Sequence, residues 1–486
     1  ANKELPQAME PISDGDTTFG SLVFGPMVDK MGKIFCANEA YDPKPKDSGH
    51  PCIELIGPDL IGKGKYLGGE LGNDSCIYGM PGHAKRVLRI SCKDQKVSLV
   101  GPEFEGKYKW LRAAKGSDGV LYGIPCHADR VLRLVPRGSE LDPELELVGP
   151  QFPGEWLWHG GCTGSDGAIY AIPQSASQVL RIQVKPSLKI DLVGPEFQGK
   201  WKWYGGIASG SCIFGIPACA DSILRIRTNI DKEPIVDTIG NLAPGGWKWH
   251  GGVKTADGIV WGSPSNADSV LKILPDGSFI SSAHASTIRS DTEKKQHFKT
   301  QVTTVGSNIR GGRHRDDNKY KYLGAVVGPD GCVYCVPSDA DSVLKIDPSN
   351  DGSISEFGED LGYLARGNSR GQNKWQNGAL LSDGFIYCIP LKAEVVLRLD
   401  VYKNQIHLFP HPAKGLNLWE GGVLGDDGAL YCMPLNAEKV LRIAPAGSKR
   451  VNGTNQNYDD DAGSLCAPIL PSPFQRRTDG TRDAAS

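Results

Sequence analysis

The sequence predicts an all-β fold, a single β-propeller of eight four-stranded blades. One observation is a phrase that recurs eight times and is clearest at residues 119–134. Each copy carries a marker proline, and successive markers are 44, 48, 44, 47, 73, 53 and 44 residues apart; a period in the mid-forties is typical of one blade. A second observation is the content of 61 glycines and 33 prolines, which suits short strands joined by tight turns. The marker prolines are Pro81, Pro125, Pro173, Pro217, Pro264, Pro337, Pro390 and Pro434.

Each copy contains four short extended segments in a fixed order. The first begins with an aromatic residue and small residues, as at 203–206, and its glycines place it nearest the axis, where strands crowd together. An Asp-Gly pair such as Asp118-Gly119 then predicts a hairpin, because the turn needs positive φ. The second segment ends at the marker proline, which cannot donate a ladder hydrogen bond. The third alternates apolar and polar residues, and the fourth has the sequence Leu-Val-Gly-Pro, as at 147–150.

We expect the aromatic residue that opens each first segment to pack between adjacent blades, because large rings bury much apolar area. The alternative is a stack of rings that binds a ligand such as a sugar or a quinone. The eight residues are Tyr66, Trp110, Trp158, Trp203, Trp249, Tyr322, Trp375 and Trp419.

Nine or seven blades are the alternatives to eight. Residues 23–36 align with the first two strands of a further copy, and residues 52–58 align with a fourth strand. The last full repeat ends near Ile443 without a fourth strand, so an N-terminal strand would complete it and lock the ring. The predicted organisation is an N-terminal segment with a degenerate partial repeat at 1–51, a propeller at 52–443 and an extended tail at 444–486.

Charge and hydropathy argue against some classes of binding partner and against a membrane span. The chain has 54 Lys and Arg residues against 56 Asp and Glu residues, which argues against nucleic acid or an anionic membrane held by bulk charge. It has no run of about 18 apolar residues that would predict a membrane span. The chain begins at Ala1 rather than Met, so a secreted or organellar location after removal of a targeting peptide is one expectation.

The repeats loosely resemble a broad group of known propellers. The phrases that carry the resemblance are Asp-Gly-x-(Ile/Leu)-(Tyr/Trp) and Leu-Arg-Ile-x-Pro, as at 118–122 and 441–445. The group holds NHL repeats, gluconolactonase-like proteins and the virginiamycin B lyase type, and the chain is also similar to tandem-repeat proteins of unicellular algae. The resemblance covers roughly residues 52–443 and implies the fold without an activity. The metal-binding set of a gluconolactonase-like site has no counterpart here, and no cofactor is predicted.

The thirteen cysteines do not predict a disulfide scaffold. Four share one slot that is Gly or Ala in other copies, which indicates a tight buried site for a free thiol; a metal-binding thiolate cluster is the alternative. These four are Cys36, Cys335, Cys388 and Cys432. One disulfide, between Cys76 and Cys92, is predicted for an oxidising compartment. Cys126 and Cys219 are expected to be exposed loop thiols.

The two residues after each marker proline change chemistry from blade to blade, whereas the framework is constant. In a closed ring they would lie on one face, and loops on a rigid scaffold are where recognition usually occurs. The alternative is that solvent-facing turns tolerate any residue. The candidate binding residues at these positions are His83, His127, Ser175, Asn266, Asp339, Lys392 and Asn436.

The longest gap between repeats carries a basic insert at about 278–320. An insert of this length in a tight repeat is typically functional or disordered. It could dock an acidic protein partner through Arg313 and Arg315, and a solvated charge run without a specific role is the alternative.

The sequence offers few candidates for catalysis. His159 and His250 follow the aromatic residue of the first segment and would face the channel, where an enzyme would place a general base; Glu420 has the equivalent position in another copy. Their separation in the repeat order predicts no triad and no metal set. The chain has no nucleophile elbow, P-loop, His-Glu-x-x-His motif or Asp-rich calcium loop.

The preferred hypothesis is a non-catalytic interaction platform, a subunit or accessory of a larger assembly. Its loop face, basic insert and tail would contact protein partners. One alternative is a propeller enzyme of the lyase or lactonase type that uses His159, His250 or Glu420. Another is a lectin-like binder that uses the repeated aromatic residues, and evenly spaced, exposed tryptophans would favour it.

Overall fold

The computed structural model is a ring of eight antiparallel four-stranded sheets, so the chain is an eight-bladed β-propeller. Helix within the described part is limited to two 3-10 turns, Pro348–Asn350 and Gly362–Ala365. No helix of this part is long and apolar enough to cross a membrane. The all-β prediction and the number of eight blades are confirmed. The structure describes residues 49–229, 232–276, 299–365, 372–446 and 448.

The first strand in the chain, β1 (Cys52–Ile56), belongs to the last blade, and the first four blades follow it. Blade 1 contains β2 (Tyr66–Leu71), β3 (Cys76–Pro81), β4 (Val87–Ser91) and β5 (Val97–Val100). Blade 2 contains β6 (Trp110–Lys115), β7 (Leu121–Pro125), β8 (Val131–Val135) and β9 (Glu144–Val148). Blade 3 contains β10 (Trp158–Thr163), β11 (Ile169–Pro173), β12 (Val179–Gln183) and β13 (Lys189–Val193). Blade 4 contains β14 (Trp203–Ser209), β15 (Cys212–Pro217), β16 (Ile223–Asn229) and β17 (Lys232–Ile239).

The last four blades repeat this order. Blade 5 contains β18 (Trp249–Lys254), β19 (Val260–Pro264), β20 (Val270–Leu274) and β21 (Gln301–Val305). Blade 6 contains β22 (Tyr322–Val327), β23 (Val333–Pro337), β24 (Val343–Asp347) and β25 (Ser353–Phe357). Blade 7 contains β26 (Trp375–Leu380), β27 (Ile386–Pro390), β28 (Val395–Asp400) and β29 (Gln405–Pro410). Blade 8 contains β30 (Trp419–Leu424), β31 (Leu430–Pro434) and β32 (Val440–Ala444), together with β1.

A strand from the start of the propeller closes the ring. The first strand of every blade contacts the first strand of the next, and β30 contacts β2. Blade 8 takes its fourth strand from β1, with Cys52 opposite Ala444 and Ile56 opposite Val440. The expectation that an N-terminal strand completes the last blade is therefore confirmed, and a closed ring of eight leaves no place for a ninth blade.

The Asp-Gly turns form as the sequence predicts. Gly119 has φ of +80°, a backbone conformation that favours glycine. Asp118 accepts a hydrogen bond from the Val120 N–H through Oδ1 and from the Tyr122 hydroxyl through Oδ2, at 2.9 Å for the hydroxyl. This Tyr–Asp contact recurs in blades 1, 3, 6, 7 and 8. The turn therefore ties its own hairpin together.

The eight aromatic residues that open the first strands are all buried, as expected for packing between blades. We call them the wedge aromatics. Trp110 Nε1 donates to the carbonyl oxygen of Arg130, twenty residues later, at 2.8 Å. Five other wedge tryptophans, through Nε1, and Tyr66, through its hydroxyl group, likewise donate to a carbonyl oxygen 19 or 20 residues later in the chain. Their area and their polar atoms are thus committed to the fold.

Six blades place a buried lysine directly before the wedge aromatic. Lys109 Nζ donates to the carbonyl oxygens of Gly82 and Ala84 in the preceding blade, at 2.9 Å each, and Lys202 Nζ donates to that of Ala176 at 2.8 Å. Burial lowers the pKa of Lys109 to about 8. Lys248 and Lys374 make the same contact through the carbonyl oxygens of Ala220 and Ala340, so four of the six lysines clamp one blade to the preceding one. The six are Lys65, Lys109, Lys202, Lys248, Lys321 and Lys374.

The cysteine slot on the second strands is as tight as predicted. Cys335, Cys388 and Cys432 are fully buried, and burial raises the pKa of each thiol. A Cβ at the equivalent Gly262 would lie 2.9 Å from the Leu271 side chain, so only small residues fit. The fourth cysteine of this set, Cys36, lies outside the described residues.

The predicted disulfide between Cys76 and Cys92 is wrong, because both are free thiols. The register pairs Cys76 with Ser91, so Cys92 falls one residue further along and turns to the opposite face of the sheet. The two sulfurs accordingly pack in different apolar clusters. Cys126 is fully buried rather than exposed, and Cys219 is partly buried.

The basic insert is shorter than its predicted range of 278–320. The fourth strand of blade 5, β21, lies within that range, so the insertion falls between β20 and β21. Ile309 N–H donates to the Asp268 carbonyl oxygen, as Phe197 N–H does to that of Ser177 in blade 3. The chain therefore resumes the repeat before residue 310. Residues 277–298 lie outside the described residues.

Candidate functional site

All eight blades place a left-handed residue two positions before the wedge aromatic, with φ between +49° and +63°. Its carbonyl oxygen accepts the N–H of the second residue after the marker proline, at 2.9–3.2 Å in every blade. Glycine and asparagine adopt this backbone most easily, whereas another L-residue costs about 1–2 kcal/mol. The eight residues are Gly64, Tyr108, Trp156, Trp201, Trp247, Tyr320, Asn373 and Asn417.

Five consecutive blades, 2 to 6, carry an aromatic residue at this left-handed position. The rings of the first four form what we call the aromatic arc: Tyr108, Trp156, Trp201 and Trp247. Successive ring centroids are 4.7, 5.3 and 5.7 Å apart, and the rings are tilted by 41–49°. All four are partly exposed, unlike the buried wedge aromatics. In blade 6, Tyr320 lies 5.1 Å from a guanidinium that covers its ring.

Two of the predicted binding residues extend the arc. His83 lies edge-on to Tyr108 with centroids 4.2 Å apart, and His127 lies edge-on to Trp156 at 4.4 Å. Neither Nε2 atom has a hydrogen-bond partner among the described residues. Burial lowers the pKa of both imidazoles, that of His83 to about 4, so both are neutral at neutral pH.

A cleft of about 1010 Å³ lies beside the rings of Trp156 and Trp201, and Phe152, Ser175 and Lys200 also line it. Within the described part of the chain, Ser175 Oγ makes no hydrogen bond. Aromatic walls with a few uncommitted polar atoms are the usual composition of a ligand site. His83, His127 and Ser175 are therefore brought together at the arc.

Two other predicted binding residues hold the backbone instead. Asn266 Oδ1 accepts the Tyr320 N–H at 3.0 Å, and Asn436 Oδ1 accepts the Gly64 N–H at 2.9 Å. In each case the amide group of one blade fixes the left-handed residue of the next. These two asparagines are positioned by the fold and do not form part of the arc.

The remaining predicted contacts are also largely committed within the chain. Asp339 is fully buried and bonds Arg315 Nη1 at 2.8 Å, and Arg313 Nε contacts Asp341 Oδ2 at 2.9 Å. The side chain of Lys392 is buried as well. The expectation of open, solvent-facing turns is therefore wrong at Asp339 and Lys392. Docking through Arg313 and Arg315 stays a prediction, although both guanidinium groups already have carboxylate partners.

A polar cluster lies at the axis below the arc. His159 stacks on Tyr204 with centroids 3.8 Å apart, and Tyr204 lies 4.8 Å from His250. The two histidines are thus on alternate blades around one tyrosine, closer than their separation in the repeat order suggested. Tyr204 also lies 5.7 Å from Trp247, which connects this cluster to the arc. Burial lowers the pKa of His250 to about 3.

Glu420 faces the same channel with a residue that sequence analysis missed, Arg112. Tyr204, His250 and Glu420, on blades 4, 5 and 8, all lie within electrostatic reach of Arg112, which places its guanidinium near the axis. Burial lowers the pKa of Arg112 to about 10. Burial also raises the pKa of Glu420 well above its usual value, against the opposing influence of Arg112 and a hydrogen bond from Gln376.

The channel therefore combines the Arg112 cation, a carboxyl whose pKa is raised by burial and two imidazoles, and this set can bind and orient a polar group. No cluster of three or more His, Cys, Asp or Glu residues suited to a metal ion occurs in the ranges that the structure describes. The role of His159, His250 and Glu420 as acid–base groups stays a prediction.

A recurring sequence pattern could have predicted the aromatic arc. Two aromatic residues flank one lysine at 201–203 and at 247–249, and tyrosine replaces tryptophan in other copies. Sequence analysis assigned only the second aromatic of each pair. In an extended strand both would lie on one face, so only the left-handed turn between them separates a buried ring from an exposed one.

No protein-family model and no curated protein matches this chain. Virginiamycin B lyase from Staphylococcus aureus is 12% identical with a TM-score of 0.46, over 82% of this chain and 100% of that one. The periplasmic gluconolactonase of Pseudomonas aeruginosa is 13% identical with a TM-score of 0.45, over 79% and 98%. At this level the similarity concerns the fold alone.

Proposed function

We propose that this chain is a binding propeller that holds an oligosaccharide across the aromatic arc. The observation that carries the proposal is the run of bulky rings at the left-handed position of blades 2 to 6, where blades 1, 7 and 8 have glycine or asparagine. Four of these rings, Tyr108, Trp156, Trp201 and Trp247, form the arc. The fold does not need a ring at this position, because the same backbone hydrogen bond forms in those three blades.

Strain supports a role in binding. Each aromatic residue with positive φ costs about 1–2 kcal/mol, and a substitution to asparagine would remove most of that cost. Local conflicts of this kind persist mainly at functional sites, where the side chain is needed for something other than folding. Partial exposure of all four rings leaves their faces and edges available for contact.

The spacing of the rings favours an extended ligand. Neighbouring arc rings touch each other, with centroids no more than 5.7 Å apart, so a planar ligand cannot insert between them. A ligand must therefore lie along the arc and contact several rings in turn. A chain of saturated sugar rings has apolar faces for the tryptophans, and its hydroxyl groups suit the exposed polar side chains that line the cleft, Glu155 and Lys200.

The test is to screen the purified protein on an array of immobilised oligosaccharides and to compare it with Trp201→Asn. The variant should keep its melting temperature within a few degrees, because relief of about 1–2 kcal/mol of strain offsets part of the lost packing. We expect it to lose at least ten-fold in affinity for any glycan that the wild type binds, measured by isothermal titration calorimetry.

Tyr402→Ala is the matched control, because this aromatic side chain is exposed on the outer side of blade 7. It should bind like the wild type. Absence of glycan binding by the wild type, or equal affinity of the Trp201→Asn variant, contradicts the proposal.

A platform for protein partners is the second candidate function. Exposed apolar side chains on the fourth strands of blades 1 to 4 favour it, at Leu99, Leu147, Leu192 and Ile235. Co-migration of the protein with a large complex during native purification from its source would support this alternative.

A further inference from the structure

The site of interest is a single arginine that crosses the central channel beneath the arc. Arg112 occupies a position at which six other copies have glycine and one has asparagine. A Cβ at Gly68 would lie 3.0 Å from Arg112 Cγ and Nη1, and one at Gly421 would lie 3.6 Å from Nη2. The side chain therefore runs from blade 2 over blade 1 toward blade 8, in space that glycines leave open.

The guanidinium is buried but not fully satisfied. Arg112 is only 6% exposed, and its Nη2 has no hydrogen-bond partner within the described residues. A buried cation with an unused donor is costly unless an acceptor completes its shell. Gly68 and Gly421 cannot supply a side-chain acceptor, so the acceptor must come from elsewhere.

A second uncommitted atom lies on blade 8, next to the glycine that the Arg112 guanidinium approaches. Glu420 is 1% exposed, and its Oε1 has no partner among the residues that the structure describes. Burial raises the pKa of this carboxyl well above its usual value, and its protonated form offers an O–H donor as well as an acceptor. His250 Nδ1 is a third buried atom without a partner in this part of the chain.

We propose that the channel between Arg112 and Glu420 binds a small carboxylate. A planar guanidinium matches the two oxygens of a carboxylate, and a protonated acid donates to one of them. This is a different ligand chemistry from the sugar contacts of the arc. The two sites are neighbours, because Tyr204 of the channel contacts Trp247 of the arc.

The experiment measures the melting temperature of the full chain at neutral pH in increasing sodium formate or sodium acetate, with sodium chloride at the same ionic strength as reference. Ligand that binds only the folded state raises stability with the logarithm of its concentration once the site is saturated. We expect this rise with formate and acetate and not with chloride.

Substitutions at Arg112 test whether the rise in melting temperature comes from this site. Arg112→Met removes the charge at similar length and should abolish the carboxylate-dependent rise. Arg112→Lys keeps the charge but loses the planar fork, so the formate concentration needed for the same rise should increase at least ten-fold. If Arg112→Met does not fold, the lysine variant decides. Equal shifts in formate and chloride, or an unchanged formate response in Arg112→Lys, overturn the proposal.

Two further comparisons separate this site from the arc. Trp201→Asn should leave the formate response intact, and Arg112→Lys should leave glycan affinity within about two-fold of the wild type. Failure of the glycan screen with a positive formate response would therefore reject the arc as a glycan site and keep the carboxylate site.

Discussion

At the scale of single residues, burial decides which ionisable groups of the inner ring carry charge. Glu70 on β2 is partly buried beside Lys115 and Arg112, and burial raises its pKa from about 4.5 to about 7. Burial also favours the neutral form of His250, because it lowers the pKa of this imidazole to about 3. Burial thus favours the neutral forms of Glu70 and His250 on the inner strands, whereas Arg112, with a pKa of about 10, stays charged at neutral pH.

The raised pKa of Glu70 predicts how the stability of the protein depends on pH. Its pKa is higher in the folded than in the unfolded chain, so the folded state binds more protons between pH 4.5 and 7 and stability falls as pH rises through this window. We expect Glu70→Gln to flatten this slope and to gain stability at pH 7 relative to wild type, by at most ~3 kcal/mol. Urea unfolding at pH 4.5, 5.5 and 7 measures it.

The control for this prediction is Glu196→Gln, which neutralises an exposed carboxyl on the loop after β13. It should leave the pH slope of stability unchanged. A wild-type protein that becomes more stable between pH 5 and 7, with the same slope in Glu70→Gln, would show that Glu70 is not the group responsible.

At the scale of elements, every blade packs against its neighbour, and a lysine clamp joins four of the blades to the preceding one. The wedge tryptophans bury their rings between sheets, while lysine ammonium groups satisfy the carbonyl oxygens of the preceding blade's loop. Blades 3 and 8 have Leu157 and Leu418 in place of the lysine, and both are buried. The clamp is therefore formed at blades 2, 4, 5 and 7, and a buried leucine takes its place in blades 3 and 8.

Lys109 provides the clearest test, because its ammonium group donates to three carbonyl oxygens, those of Gly82, Ala84 and Gly106. Lys109→Leu should destabilise the protein by about 2–3 kcal/mol, since each buried carbonyl loses a charge-assisted hydrogen bond. The shift of the urea midpoint relative to wild type is the measurement.

Lys107→Leu, at an exposed position two residues away, is the matched control and should leave the midpoint almost unchanged. Equal effects of the two substitutions would mean that the contacts of Lys109 do not join the blades.

At the scale of the whole molecule, stability depends on closing the ring with β1. Ile53 and Leu55 of this strand pack against the core of blades 7 and 8, and Arg442 on β32 contacts Glu54 at 3.2 Å. Without β1 the edge of β32 would present unpaired backbone groups, which favours aggregation.

A chain that lacks residues 1–57 should therefore unfold at a lower urea concentration than one that lacks residues 1–48, which retains β1. Five ladder positions are lost, and at about 1 kcal/mol for each hydrogen bond the difference should reach several kcal/mol. Size-exclusion chromatography should also show oligomers of the shorter chain. Equal midpoints and a monomeric shorter chain would contradict closure by β1.

The sequence by itself determined the blade. The marker prolines, the Asp-Gly turns and the alternating third strands are local signals, because φ preferences and side-chain periodicity act within a few residues. The wedge aromatics and the closing strand at 52–56 were also predictable, since one repeat shows what the others need. These features account for the fold and its eight blades.

Only the tertiary structure decided the candidate sites. The register that separates Cys76 from Cys92, and the left-handed turn that exposes Trp201 while Trp203 is buried, depend on single-residue offsets that periodicity does not resolve. The meeting of Arg112 with Glu420 depends on ring closure, which brings together side chains 308 positions apart in the sequence. Local sequence patterns cannot predict that these two side chains lie close together in space, because their proximity depends on the closed ring as a whole.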